Sequence, residues 1–527
     1  MKALSRAILL VLTLASVQVG RAQDRGQIQI TGDSLVAGDI NGQPVEQIIG
    51  HFQFVQGPLY GSADKAIKYT NGHRVDLIGN VAIHQDTLSL YAPRATYNDS
   101  THLGHADGGV RLFDRDIELT ASEGDYDMDN QIARFRRHVT ITQGKTTSVS
   151  DSLVYYRATQ TTILLGHAEA KSDSGSLSGD TIIYLKALDE TTVKGNVHLA
   201  NDSLRLSSDW LLDARAQGQM RARGHVAVED IPNQTTVFGD TLARFAKLNY
   251  MIVPRRPLLE MLDSSQVRDS TGKMVTHFDT TFLRADTMKI FQGDSARFVA
   301  IDSVRLLRLG FSLIGGTLVY DQAREVITVS HSARQRVWND STEINADSIA
   351  MTMRDRHIQR IYALRHAFAT SPVDSFPNSG RIHQLEGDSM VLIVTRDTAR
   401  QLYDLGNALS IYFLISDGKP DGVNRSSGDT IRMDFKGKSV ERLAILSGTE
   451  GEYFPERFVG KRAKSFRLAD YERHTQLRPR REEFVLPWEL PAAPPPTPRA
   501  KPQLPKTPKP GQPEPTPKPP VQRKSAS

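Results

Sequence analysis

Apolar and polar residues alternate along most of the chain, with the period of two that is typical of β-strands. The alternation is clear in KGNVHLAND, residues 194–202, where Val197 and Leu199 are apolar and their neighbours are mostly polar. Val, Ile, Thr and Tyr are abundant in such segments, and Gly, Asn and Asp interrupt them every few residues, as tight turns between strands require. The pattern therefore predicts an all-β chain made of short strands.

The alternating segments recur at an interval of 29 residues. An apolar residue recurs seven times at this spacing between residues 52 and 226, with glycine two positions before it in six copies and a Gly-Asn or Gly-His pair directly before it in five. A unit of this length cannot enclose a core alone, so we predict that the copies stack into one β array. If each copy forms one rung, equivalent residues lie about 4.8 Å apart, and about fourteen rungs span roughly 65–70 Å.

Two polar features of the repeat are predicted to belong to turns. The slot after the glycine holds Asn or His, such as Asn80 or His167, which suits a residue with positive φ. An aspartate twelve residues after the apolar anchor, such as Asp151 or Asp180, precedes Ser or Thr and is expected to hydrogen-bond its own turn. A histidine metal ladder and a glycosidase-like carboxylate pair are alternatives, but a catalytic site is normally singular. We predict no catalytic residue, no metal site and no cofactor.

The residues after the glycine pair define one face of the array, which we predict to be its apolar inner face. The alternation alone also permits the opposite face to be inner in any one copy. Such a face is either the filled core of a β solenoid or the wall of an incompletely closed stack that accepts acyl chains. The predicted lining residues are Phe52, Phe54, Val81, Ile83, Val110, Leu112, Val139, Ile141, Val197, Leu199, Val226 and Val228.

Changes in composition divide the chain into five predicted regions. Residues 1–22 combine basic residues, an apolar stretch and a small-residue cleavage site, as in an export signal peptide. Regular repeats occupy residues 23–250, less regular repeats follow over 251–460, and residues 461–490 read as a polar, basic connecting segment. Residues 491–527 contain fourteen prolines and are predicted to be a disordered Pro/Lys-rich tail.

Charge and cysteine content exclude several classes of function. The net charge of +5 comes from the two ends, because residues 23–490 hold 55 basic and 59 acidic residues. This balance, without a concentrated basic face, argues against binding to nucleic acid. The chain has no cysteine, so disulfides and thiol catalysis are excluded. The export signal indicates the periplasm as the location, with outer-membrane association as a further option.

Two segments resemble the OstA/LptA family of lipopolysaccharide-transport proteins. They are AIHQDTLSLYAPRATYND, residues 82–99, and SLSGDTIIYLKALDETTVKGNVHL, residues 176–199. The resemblance covers about residues 26–245 and continues more weakly to about 460. The length and the proline-rich tail are similar to those of the large OstA-like proteins of the Bacteroidetes group.

The resemblance implies a fold and a function. The fold would be a stacked-rung β-jellyroll of two facing sheets, open at both ends and along one seam. The function would be non-enzymatic transport of lipopolysaccharide between the inner and outer membranes, with lipid A acyl chains in an apolar trough. The implied partners are lipopolysaccharide, the inner- and outer-membrane transport components joined by end-to-end strand addition, and a second copy of the chain. A structural β solenoid and a carbohydrate-active β-helix enzyme are the alternatives.

Overall fold

The computed structural model describes residues 28–268, 274–293, 296–354, 357–373, 376, 379–395, 398–436 and 439–490. The predicted signal peptide and proline-rich tail lie outside these residues. The described strands form one antiparallel sheet of 32 strands, which confirms the all-β prediction. No helix in the described part of the chain has the length and apolar character needed to cross a bilayer.

The first sixteen strands follow the regular repeats. Their bounds are β1 Gln29–Thr31, β2 Ser34–Ile40, β3 Gln43–Gln56, β4 Leu59–Tyr69, β5 Arg74–Gln85, β6 Leu88–Asn98, β7 Leu103–Asp114, β8 Ile117–Asp127, β9 Ile132–Gln143, β10 Thr146–Tyr156, β11 Thr161–Ser172, β12 Gly175–Leu185, β13 Glu190–Ala200, β14 Leu204–Ala214, β15 Gln219–Asp230 and β16 Thr235–Phe245.

The remaining strands are less regular in length. Their bounds are β17 Tyr250–Pro254, β18 Leu258–Arg268, β19 Met274–Arg284, β20 Thr287–Phe291, β21 Arg297–Arg308, β22 Phe311–Asp321, β23 Val326–Ser330, β24 Gln335–Asn339, β25 Thr342–Ala346, β26 Ser348–Arg354, β27 His357–Pro372, β28 Ile382–Thr395, β29 Thr398–Ser416, β30 Lys419–Lys436, β31 Ser439–Leu446 and β32 Glu450–Pro455. Short helices occupy Lys186–Leu188, Ala246–Leu248, Glu456–Val459, Gly460–Ser465, Thr475–Leu477, Arg481–Glu483 and Pro487–Glu489.

Each 29-residue repeat contributes two antiparallel strands to the sheet. Val197 lies in β13 and the equivalent Val226 lies in β15, and β14 pairs with both of these strands. Equivalent residues are therefore about 9.6 Å apart, two strand spacings, and the predicted 4.8 Å was wrong. The error arose because both turns of the hairpin recur every 29 residues, so the period does not reveal how many strands it contains.

A β-bulge in the middle of the strand explains the Gly-Asn and Gly-His pairs. Gly195 and Asn196 have φ of +70° and +46°, and together they lie opposite Asp209 of β14. On the other side, Asn196 Nδ2 donates a hydrogen bond to Asp180 Oδ1 of β12 at 3.0 Å. The positive φ expected for this slot is confirmed. The aspartate, however, bonds to the bulge of the next strand, whereas we expected a bond within its own turn.

The bulges divide the strands into two layers that enclose one core. In β5, residues 74–78 lie in what we call the B layer and residues 81–85 in the A layer, with the bulge between them. Leu77 of the B half and Val81 of the A half belong to the same buried apolar cluster, which extends from Phe52 to Met433. The sheet is thus folded along the line of bulges, which we call the crease, with apolar residues between its halves.

Several rows of the array are built from two short strands placed end to end. Both β17 and β18 pair with β16, at residues 243–245 and 235–238 respectively. The same division occurs in β1/β2, β19/β20, β23/β24, β25/β26 and β31/β32, so the 32 strands form 26 rows. At about 4.8 Å per row the array is on the order of 120 Å long. The predicted 65–70 Å was too short because each repeat supplies two rows.

Residues 456–490, which we call the strap, run back along the outer face of the A layer. At one end, Leu468 belongs to a buried cluster that includes Phe368 of β27. At the other end, the Trp488 ring lies 6.1 Å from the Phe238 ring of β16. Because Val237, next to Phe238, faces the core, the strap covers the opposite face of the layer. Part of this segment was expected to be a connecting segment, and its packing was not predicted.

The strap accounts for a set of buried polar residues on the outer face. Glu343 is fully buried, and it accepts hydrogen bonds from Arg336 Nη1 at 3.0 Å and Trp338 Nε1 at 3.1 Å. The backbone N–H of His474 in the strap donates to both carboxylate oxygens of Glu343, at 3.0 and 3.1 Å. Glu472 of the strap also pairs with Arg336. These groups are satisfied by one another, as buried charges require.

Candidate functional site

The twelve residues predicted to line the interior all lie on the inner face of the A layer. Phe54 and Ile83 are partly buried and pack against the core, and the other ten are buried within it. The inner face is therefore the predicted one in each of these rows. The buried ten are Phe52, Val81, Val110, Leu112, Val139, Ile141, Val197, Leu199, Val226 and Val228.

The B layer also contributes apolar side chains to the interior, and these residues were not predicted. Leu153, Ile182 and Leu211 are buried in the same core cluster, in the B halves of β10, β12 and β14. These residues also recur every 29 positions. The 29-residue spacing of these residues could have identified them, but the predicted lining included only residues that follow the glycine pair.

A cavity lies between the layers near the C-terminal end of the array. Its volume is about 380 Å³, within the range of small-molecule sites. Leu385 from the A layer and Leu402 and Met433 from the B layer line it, and all three belong to the core cluster. We call this cavity the C-terminal pocket. An apolar interior that is packed along the regular rows therefore has open space at this end.

His383 is a half-buried polar group in the wall of the C-terminal pocket. Its ring stacks on Tyr412, with ring centres 4.3 Å apart, and its Nδ1 accepts a hydrogen bond from the backbone N–H of Phe413 at 3.3 Å. Burial lowers the pKa of His383 to about 4, because an apolar environment disfavours the charged ring. The ring is therefore neutral at neutral pH and carries its proton on Nε2.

Asp404 is a carboxyl group inside the core, next to the crease. Its side chain is fully buried, and neither carboxylate oxygen accepts a hydrogen bond of normal geometry. The neighbouring backbone N–H of Leu405 lowers the pKa of the carboxyl, but it is outweighed by burial. Burial, followed by the charge of Glu386, raises the pKa of Asp404 to about 8. The sequence analysis did not single out this residue, although an aspartate before Leu-Gly-Asn breaks the apolar pattern of the repeat.

The aspartates of the crease have a structural role. Asp151 accepts a hydrogen bond from His167 Nδ1 at 2.9 Å, and Asp209 from His225 Nδ1 at 2.8 Å. The hydrogen bond to Asp151 raises the pKa of His167, since it favours the charged ring. Successive aspartates are two strands apart, so the glycosidase-like spacing of about 5 Å is not met. Within the described ranges, no group of three or more His, Cys, Asp or Glu is arranged to hold a metal ion.

Comparison with known proteins gives a family for part of the chain. Residues 32–172 match the OstA-like protein family, which confirms the resemblance over that segment. Among solved structures, the chain is similar to LptH of Pseudomonas aeruginosa, described as the LptA-homologous periplasmic component of the lipopolysaccharide transport device. The identity is 20%, the match covers 24% of this chain and 82% of that one, and the TM-score is 0.20. No curated protein matches the chain.

Proposed function

Because residues 32–172 are OstA-like, we propose that this chain is a non-enzymatic periplasmic component of lipopolysaccharide transport. Its interior would carry the acyl chains of lipid A between the inner and outer membranes. The observation that supports this most is the apolar core shared by two layers, which runs from Phe52 to Met433. An apolar path of this length lowers the cost of moving acyl chains through water and needs no chemical step.

The two ends of the array support a role in a longer assembly. Among the described strands, β1 and β2 pair only with β3, and β31 and β32 pair only with β30. These rows expose large apolar residues, including Leu35 and Tyr453. Unpaired edges of this kind invite strand addition. The proposed partners are therefore lipopolysaccharide-transport components at either membrane, or a second copy of this chain.

Spin labelling tests the proposed path in solution. The chain has no cysteine, so Ile83→Cys gives one inward label and Ala82→Cys, the neighbouring position, gives its outward control. The proposal predicts that adding lipopolysaccharide immobilises the label at 83 and leaves the label at 82 unchanged. Equal changes at both positions, or no change at 83 in a folded protein, would contradict it.

A structural β solenoid with a filled core is the second candidate. It is favoured by the tight packing of the regular rows, where Val110, Val139 and Val197 are almost completely buried. This candidate predicts that the label at 83 is insensitive to lipopolysaccharide. The two candidates therefore give opposite results in the same measurement.

A further inference from the structure

Asp404 occupies a slot that is apolar in every equivalent row. The slot is the position two residues before a β-bulge in which both bulge residues have positive φ. In β29 these bulge residues are Gly406 and Asn407. In the other rows with such a bulge, the slot residue is buried in the core or packed against it. These residues are Ile48, Leu77, Ala106, Phe135, Leu164, Val193, Ala222, Val253, Ala300, Ala363 and Ile445.

The carboxyl group of Asp404 lies in the corner where the two layers meet. A Cβ added to Gly387 of β28 would lie 2.1 Å from Asp404 Oδ1, so the carboxyl packs directly over that glycine. Gly387 is in the A half of β28 and Asp404 is in the B half of β29. Glycine at 387 thus makes the room that the carboxyl occupies.

The C-terminal pocket leads toward this corner from the side of the turns. Leu402 stands two residues before Asp404 on the same strand face, and Leu385 stands two residues before Gly387. Both leucines line the pocket. Because strand residues two apart share a face, Asp404 lies on the same inner face as Leu402, one step beyond the residues that line the pocket.

A carboxyl group in this position has a hydrogen-bonding capacity that the protein leaves unused. Neither of its oxygens accepts a hydrogen bond of normal geometry, and only the neighbouring backbone N–H of Leu405 favours the charged form. Leaving a buried polar group so poorly paired is costly. With its pKa raised to about 8 by burial and by Glu386, the group is neutral at neutral pH and has an O–H to donate. An apolar residue, as in the other rows, would avoid this cost.

We propose that Asp404 is a specificity-determining residue beside the C-terminal pocket, where it hydrogen-bonds an oxygen atom carried by an acyl chain that extends past Leu385 and Leu402. The ligand class is therefore an apolar chain with a hydroxyl or carbonyl group along its length. This inference rests on the proposed function, since it assumes that acyl chains enter the interior. It adds a preference for oxygen-bearing chains, which an apolar wall alone does not supply.

Binding of defined fatty acids to the full chain tests the inference. The probes are octadecanoic acid and octadecanoic acids that carry one hydroxyl at different carbons, measured by calorimetry at pH 7. At least one hydroxylated acid is expected to bind about 5- to 30-fold more tightly than the unsubstituted acid, as one hydrogen bond to a buried, otherwise unpaired group provides. Asp404→Leu should abolish this preference, and Asp404→Asn, which keeps a donor, should retain part of it.

The controls separate this inference from the proposed function. Asp388→Asn changes an exposed aspartate of the crease that is bonded to Asn407 at 3.0 Å, and it should leave the preference intact. Equal binding of all the acids to the wild type, or a preference that survives in Asp404→Leu, would overturn the role of Asp404 while leaving acyl binding in place. Failure of every acid to bind would contradict the proposed function as well.

Discussion

At the scale of single residues, the bulge pairs show why the repeat uses so few residue types. A Cβ on Gly195 would lie 2.0 Å from Asp180 Oδ2, so the glycine is required both by its positive φ and by the carboxylate beside it. Asn and His tolerate positive φ and reach the same aspartate from the next position. These physical demands recur once in each 29-residue repeat, in every second row, which is why the sequence repeats them.

Replacing Gly195 by alanine is expected to destabilise the fold through both effects. Gly195→Ala should lower the free energy of unfolding by about 2–3 kcal/mol, because the strained φ and the displaced carboxylate each contribute. The matched control is Gly144→Ala, where φ is +55° but no atom lies within 4 Å of the added Cβ. That variant should lose only about 1 kcal/mol in urea unfolding. Equal losses would show that the carboxylate contact is unimportant.

Asp404 is expected to make stability depend on pH in an unusual direction. Its pKa is raised from 3.8 to about 8 in the folded chain, so the folded state holds this proton more tightly than the unfolded state. The contribution of Asp404 to stability is therefore most favourable below pH ~4, declines as the pH rises toward ~8, and is then constant. Nearby Glu386 and Asp388 act on Asp404 in the same sense.

Urea unfolding of Asp404→Leu across this pH range checks the sign. The stability of the variant relative to the wild type should increase by roughly 3–5 kcal/mol between pH 4 and pH 8. A difference that does not change with pH would mean that Asp404 titrates normally in the folded chain.

At the scale of elements, the strap and the rows built from two short strands could not be predicted from the sequence. The inner face of the regular strands was predictable because alternation and a fixed register both identify Val81 and its equivalents. The strap has no such period, and its bonds join distant residues, as when Arg473 Nη1 donates to Thr370 Oγ1 103 positions away at 2.8 Å. Asp404 could have been noticed as a break in the pattern, but its burial and lack of a partner depend on the folded rows around it.

Glu343 is expected to be the most sensitive residue beneath the strap. Glu343→Leu should lower the free energy of unfolding by about 3–5 kcal/mol, because Arg336 would lose one of its two carboxylate partners and the N–H groups of Trp338 and His474 would lose their acceptor. The exposed pair of Arg205 and Glu229, joined at 3.1 Å, supplies the control. Glu229→Leu should change stability by less than about 1 kcal/mol. Similar effects of the two substitutions would contradict the buried network as a source of stability.

At the scale of the whole molecule, the described strands form 26 rows, and the first and last of these rows are paired on one side only. The proposed assembly predicts that self-association, where it occurs, depends on these end rows. Leu35 in β2 and Leu248 in the short helix Ala246–Leu248 are each 70% exposed, so they form a matched pair. In sedimentation experiments, Leu35→Glu should reduce association and Leu248→Glu should not. If the two variants associate to the same extent, the N-terminal row is not the surface through which the copies associate.

The central claim is that the apolar interior contacts lipopolysaccharide, and photocrosslinking in living cells tests it most directly. The probes belong at Ile83, Ile141 and Leu199, which face the core, with Ala82 as the outward control. Adducts with lipopolysaccharide are expected at the three inward positions and none at position 82. A folded, abundant protein that gives no inward adducts, or gives them equally at position 82, would contradict the transport path and favour a filled structural array.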